Sequence, residues 1–190
     1  MIDGITPSQT VGPFFAYCLT PSAYPVREIF SNDLAGEEVP GERIRITGRV
    51  FDGAGAPVAD AMVEVWQADA QGRYATAETR ANAAFQGFGR AECDAEGRYR
   101  FTTVKPGRVP GPNGALQAPH INVGLFARGV VRRMFTRIYF AGEAANEADP
   151  ILALVPEDAR DTLIARQVEP GIYMFDIRLQ GDNETVFFEA

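Results

Sequence analysis

The stretch that decides the fold is residues 46–74, ITGRVFDGAGAPVADAMVEVWQADAQGRY. Its first half continues Arg43–Phe51, where Ile44, Ile46 and Val50 alternate with polar partners and Gly48 interrupts the pattern. Successive side chains of a strand point to opposite faces, so this spacing predicts a half-buried strand. Asp52-Gly53 and Ala54-Gly55 then supply turn chemistry. Residues 62–67 (MVEVWQ) form a second alternating run with Trp66 as its anchor. Residues 69–72 make another turn, and Tyr74 projects beyond it. By itself this is a strand–turn–strand–turn unit that implies packing and no chemistry.

The same reading extends outward. Residues 99–104 (YRFTTV) predict a third strand, closed by Pro106-Gly107. Residues 120–127, 134–140, 171–179 and 185–189 predict four more, with Gly181-Asp182-Asn183 as a hairpin turn. Seven short strands punctuated by Gly, Pro and Asp point to an all-β chain, an antiparallel β-sandwich. One short helix is expected at 157–166, where Pro156 and leading acids suit a helix start. The Pro and Gly content of residues 108–119 argues for an irregular loop. Residues 1–40 are rich in Pro, Gly and aromatics and too apolar for a disordered tail. They are expected to form an extended N-terminal arm that packs on a partner subunit, with 41–190 as the sandwich domain.

Composition narrows the function. The 190 residues suit one domain with its own core, and the net charge of −7 argues against nucleic acid or a membrane surface as partner. No apolar run reaches bilayer length and no leader is visible at the start, so a cytoplasmic protein is expected. Cys18 and Cys93 are too few for a disulfide framework or a zinc cluster. Lys105 is the only lysine among 18 basic residues, a skew to which no function attaches. The single histidine, His120, excludes any site that needs two imidazoles from this chain.

Gly48, Val50, Gly55, Val58, the run Val63-Glu64-Val65-Trp66-Gln67-Ala68, and Gly72-Arg73-Tyr74 resemble the signature of the intradiol ring-cleavage dioxygenases. The resemblance continues through 94–107 and Ala118-Pro119-His120-Ile121-Asn122, and ends in 175–188. Some 150 residues are covered. The resemblance implies a site where catalytic members hold Fe(III) with two Tyr and two His. A hard ferric ion suits anionic phenolate oxygens, with imidazoles completing the sphere. Tyr74 and His120 match two ligand positions. The second Tyr falls at Val109, which has no oxygen, and the second His falls at Asn122, a poor ferric ligand. An assisting Arg of catalytic members falls at Gln117. These four vestigial positions, Tyr74, Val109, His120 and Asn122, lead to the expectation that this chain binds no metal and carries no catalytic residue. Tyr74 and His120 then read as a hydrogen-bonded phenol and a packed imidazole.

One branch of the family works as two homologous chains, of which only the larger, β chain holds iron. This sequence resembles the smaller, α chain. Its start, Thr6-Pro7-Ser8-Gln9-Thr10-Val11-Gly12-Pro13, matches the family's opening. The resemblance implies that Thr10, Gly12 and Pro13 line the partner's pocket, whose substrate is an aromatic dihydroxy acid. Arg128 is the candidate for that acid's carboxylate, because a guanidinium matches it in charge and fork geometry. Arg132, Arg133 and Arg137 are rivals, and an exposed surface arginine is the plain alternative. An ordinary turn and extended arm is the plain alternative for the opening segment. Two further readings stay open: a self-sufficient intradiol catechol dioxygenase, and a transthyretin-like binding module without chemistry.

Overall fold

The computed structural model describes residues 9–12, 15–20, 30–36, 38–76 and 85–189. Pro13 lies outside them. A short helix, α1 (Phe15–Leu19), precedes the strands β1 (Arg43–Phe51), β2 (Met62–Trp66), β3 (Phe88–Glu92) and β4 (Arg98–Val104). There follow β5 (Val109–Pro110), β6 (Leu116–Gln117), β7 (His120–Phe126) and β8 (Met134–Phe140). The chain ends in β9 (Ile164–Glu169), β10 (Ile172–Met174) and β11 (Ile177–Arg178).

Nine strands join in the order β11-β1-β10-β9-β8-β7-β2-β3, with β4 added against β1. The alternation read in β1 is what the structure buries: Ile44, Ile46 and Val50 are 0–2% exposed. They share one core with Phe101 of β4, Val63 and Val65 of β2, and Ile121, Val123 and Leu125 of β7. Burying each such side chain contributes about 1.5–3 kcal/mol before the entropy cost is set against it. In β2 and β7 the alternate residues Trp66 and Asn122 point away from this core. The site stands on that opposite face.

Several expectations are corrected. The pairing is not purely antiparallel: β10 and β11 run parallel to β1, and β9 runs parallel to β8. The expected helix at 157–166 is a 3-10 helix, Glu157–Leu163, and the chain then enters β9. Pairing of Ile164 with Tyr139 and of Ala165 with Phe140 outweighs the local helical pattern. The strand expected at 171–179 breaks into β10 and β11. The one expected at 185–189 is reduced to a bridge between Phe188 and Phe135. The 108–119 segment is not wholly irregular, since β5 and β6 form a small ribbon around a turn at Pro112–Gly114. In the N-terminal segment, Leu34 joins the main core, and Ala35 and Val39 pack with Val104.

One turn of sequence Asp-Ala-x-Gly-Arg-Tyr occurs twice, and the Asp52 turn after β1 is capped in the same way by its carboxylate. In Asp69-Ala-Gln-Gly-Arg-Tyr74, the Asp69 carboxylate accepts the backbone N–H groups of Gln71 and Arg73, each at 2.9 Å. Asp94 does the same for Glu96 and Arg98 in Asp94-Ala-Glu-Gly-Arg-Tyr99, at 3.0 and 2.9 Å. The first copy aims Tyr74 and the second aims Tyr99. The buried Tyr99 hydroxyl donates to the Phe175 carbonyl at 2.6 Å. That carbonyl also explains the interruption of β1. A Cβ at Gly48 would lie 1.7 Å from the Phe175 oxygen, so no larger residue fits.

Candidate functional site

The first turn clamps the start of the site. The Gly107 N–H donates to the Asp69 carbonyl at 2.9 Å. Gly72 takes φ +78°, and a Cβ there would meet the Arg108 carbonyl at 2.0 Å. The loop that carries Tyr74 and the segment that carries Val109 are therefore locked together. Buried Gln67 braces the same corner. Its amide donates to the Ala68 and Val104 carbonyls at 3.0 and 2.9 Å and accepts the Thr103 hydroxyl at 2.8 Å.

The vestigial positions form one connected cluster. Tyr74 stacks on Trp66, with ring centroids 5.7 Å apart and 15° between planes. The Asn122 side-chain amide donates to the Tyr74 hydroxyl and to the Trp66 carbonyl, both at 3.2 Å. Register places Trp66, Asn122 and Arg137 in one row across β2, β7 and β8. Arg137 donates from Nη1 to Gln117 Oε1 at 2.7 Å and to the Tyr139 hydroxyl at 3.4 Å. Gln117 in turn pairs with Val109. His120 stands opposite Tyr139 on the neighbouring row, and its Nδ1 donates to the Ala118 carbonyl at 2.8 Å. A carbonyl only accepts, so Nδ1 carries the proton and Nε2 keeps the lone pair. Beneath them, fully buried Asp149 accepts the Ala118 N–H at 2.7 Å and the Tyr139 hydroxyl at 3.1 Å.

Burial keeps Tyr74, His120 and Tyr139 neutral beside Arg137. Burial raises the Tyr74 phenol above its ordinary value, with the Asn122 hydrogen bond and the Arg137 charge opposing. Burial, and then the Arg137 charge, lower His120 to about 4. Tyr139 is pushed up to about 12, chiefly by burial. At neutral pH these are two phenols and a neutral imidazole around one guanidinium.

The donors do not fit a ferric ion. Val109 is 3% exposed and offers no ligand atom. Asn122 directs its NH₂ donor, not a lone pair, at Tyr74. One imidazole nitrogen and one protonated phenol remain, too few and too neutral for a hard trivalent cation. Among the described residues no group of three or more His, Cys, Asp or Glu could hold a metal ion. Next to the cluster a cleft of about 590 Å³ opens, walled by Trp66, Phe88, Asn122 and Phe135 and edged by Glu64 and Arg133.

The remaining candidates lie elsewhere. Thr10 Oγ1 accepts the Gly129 N–H at 2.8 Å, which joins the N-terminal segment to the turn after β7. Arg128 is in that turn, 73% exposed along its side chain and paired with Asp60. Gly12 is exposed, and a Cβ added there meets nothing within 4 Å. β7 separates this corner from His120 by about 20 Å, at roughly 3.3 Å per residue. Of the rivals, Arg132 is exposed, and Arg133 pairs with the buried Glu64 at 2.9 Å, a carboxylate it shares with Arg90. Arg137 is the residue whose role sequence reasoning missed. The sequence offers it only as a rival for the substrate carboxylate, and its place beside Asn122 comes from the register of β8 against β7.

Residues 10–181 match the family model described as Dioxygenase, and the chain belongs to the intradiol dioxygenase family, whose enzymes use iron. Within it, the chain is 46% identical over 195 residues to the protocatechuate 3,4-dioxygenase alpha chain of Burkholderia cepacia, covering 97% of each. It is 43% identical over 171 residues to the beta chain of the same organism, covering 83% of this chain and 73% of that one. Among solved structures it is similar to the dioxygenase domain of a dioxygenase carbohydrate-binding protein fusion from Streptomyces sp. SirexAA-E. That match has a TM-score of 0.63 and 26% identity, and covers 94% of this chain and 99% of that one. Among the described residues no helix is long and apolar enough to cross a membrane.

Proposed function

We propose that this chain is the alpha, non-iron subunit of a protocatechuate 3,4-dioxygenase. The observation that carries the reading is a ligand set emptied of donors, Val109 and Asn122, inside a scaffold alike end to end to alpha chains. The partner is a homologous, iron-bearing beta chain, and the substrate is an aromatic dihydroxy acid. The complex adds both atoms of O₂ to protocatechuate and gives 3-carboxy-cis,cis-muconate. Ferric iron on the partner supplies the Lewis acidity that activates the ring.

This chain's part is to build the oligomer and to shape the partner's pocket. Thr10, Gly12, Pro13 and Arg128 are the residues proposed to line it, from residues 1–40 as an arm and the turn after β7. The separation of Thr10 and Arg128 from His120 supports service to a neighbour's site and not to this chain's own. Two free thiols, Cys18 and Cys93, are in keeping with work in the cytoplasm.

Co-expression with a homologous chain that carries the full two-Tyr, two-His set tests the reading. The two should co-elute, and the ferric tyrosinate colour and ring cleavage should belong to the complex alone. Colour and turnover from this chain by itself, or separate elution of the two chains, would overturn it.

A further inference from the structure

We propose that Arg137 is the cation of the vestigial site: its guanidinium stands in for the metal, holds the emptied ligand positions together, and excludes ferric ion by its charge. The inference rests on the family's ligand positions and not on the subunit reading above. Three observations converge on it.

The first is placement. Register sets Arg137 directly across from Asn122, which is bonded to Tyr74, and one pleat from the row that holds His120 and Tyr139. Its Nη1 binds Gln117, the partner of Val109 in the β5–β6 ribbon. The two side chains it binds, Gln117 and Tyr139, thus stand beside Val109 and His120 in register, and its own register neighbour Asn122 carries Tyr74.

The second is charge. No carboxylate of the described residues lies in an ion pair with Arg137. Asp149 is linked to it through the Tyr139 hydroxyl, at 3.1 Å to Asp149 and 3.4 Å to Arg137. The immediate partners are neutral oxygens. A half-buried cation whose bonded partners are neutral keeps its full charge, and that charge repels a trivalent ion brought into the same cluster.

The third is what survives around it. The His120 Nδ1 bond to the Ala118 carbonyl is the kind of outer contact that orients a ligating imidazole, and it leaves Nε2 available. The orienting contact of His120 is intact, so restoring the lost donors isolates what the Arg137 charge adds to their loss.

The test restores the donors with and without the charge. Val109→Tyr/Asn122→His is compared with Val109→Tyr/Asn122→His/Arg137→Gln in the full chain. Ferric affinity is read by competition with nitrilotriacetate and by tyrosinate absorption. The triple variant should bind ferric ion at least tenfold more tightly than the double variant. Replacing Arg137→Gln by Arg137→Lys should return the affinity to that of the double variant. Equal affinity with Arg and Gln, no binding by the Gln variant, or Lys behaving as Gln would each overturn the proposal. If Val109→Tyr cannot be packed, Asn122→His with cobalt(II) as probe replaces it. Arg137→Gln should then raise cobalt affinity, and an unchanged affinity would overturn the proposal equally.

Discussion

The side-chain amide of Asn122 donates to the Tyr74 hydroxyl at 3.2 Å, so two positions that the family resemblance implies as iron ligands in catalytic members hold each other here. The bond ties the loop after β2 to β7 without a metal. Tyr74→Phe removes the acceptor and leaves the half-buried amide its Trp66 carbonyl partner alone. The expected loss is about 1 kcal/mol of stability. Urea unfolding, with the slope unchanged, measures it.

The single histidine makes a clean pH probe. His120 titrates at about 4 in the folded chain, against an ordinary 6.5. Between these values the unfolded chain binds a proton that the folded chain does not, so stability falls as pH drops through this window. The contribution is fully present at pH 7. About 2 kcal/mol of it should be gone at pH 5, and about 3 kcal/mol by pH 4. Carboxylates titrate nearby, so the comparison is with His120→Asn, which should lack this component. Identical pH dependence in the two proteins would refute the assignment.

Gly48 and Tyr99 meet at one carbonyl, that of Phe175. Gly48→Ala puts a methyl group where that oxygen sits and should cost on the order of 3 kcal/mol. Tyr99→Phe should cost about 1–2 kcal/mol, since a buried acceptor loses its donor. Thermal melts should rank the glycine variant below the tyrosine variant.

Gly12 has open space around it in this chain, so Gly12→Val should leave the folding of this chain unchanged. In the assembled complex it should raise KM and spare iron content, because the added bulk meets the partner's pocket. Unchanged KM would confine the arm to a structural role.

Arg128→Leu should weaken carboxylated substrates more than plain catechol, with the ratio of KM values shifting by about tenfold. Its pairing with Asp60 sharpens the experiment. Asp60→Asn frees the guanidinium and should move the same ratio the other way. Equal losses on both substrates would remove Arg128 from substrate recognition.

The elements that were legible in the sequence carry their own alternation. β1 and β8 fall at the limits read from Ile44, Ile46 and Val50 and from residues 134–140. β3 was missed because its inward residues are Gly89 and Ala91, too small to give a hydrophobic rhythm. The start of β9, residues 164–166, falls within the expected helix because its strand character comes from Tyr139 and Phe140, far away in the chain. At the site, resemblance marked Tyr74, Val109, His120 and Asn122, and the structure links them. It could not mark the guanidinium, because a lone Arg in a strand looks like any solvated residue. Only the register of β7 against β8 gives Arg137 its setting.

The length of β7 has a consequence for how such a chain can change over time. The emptied ligand positions lie at one end of it, and the corner formed by Thr10 and Gly129 lies at the other. Substitutions that erase chemistry at the first end exert no strain on the second. On the subunit role proposed above, a duplicated chain can thus shed its own reaction step by step while continuing to lend its neighbour a wall, and selection on the neighbour's pocket alone suffices to preserve it.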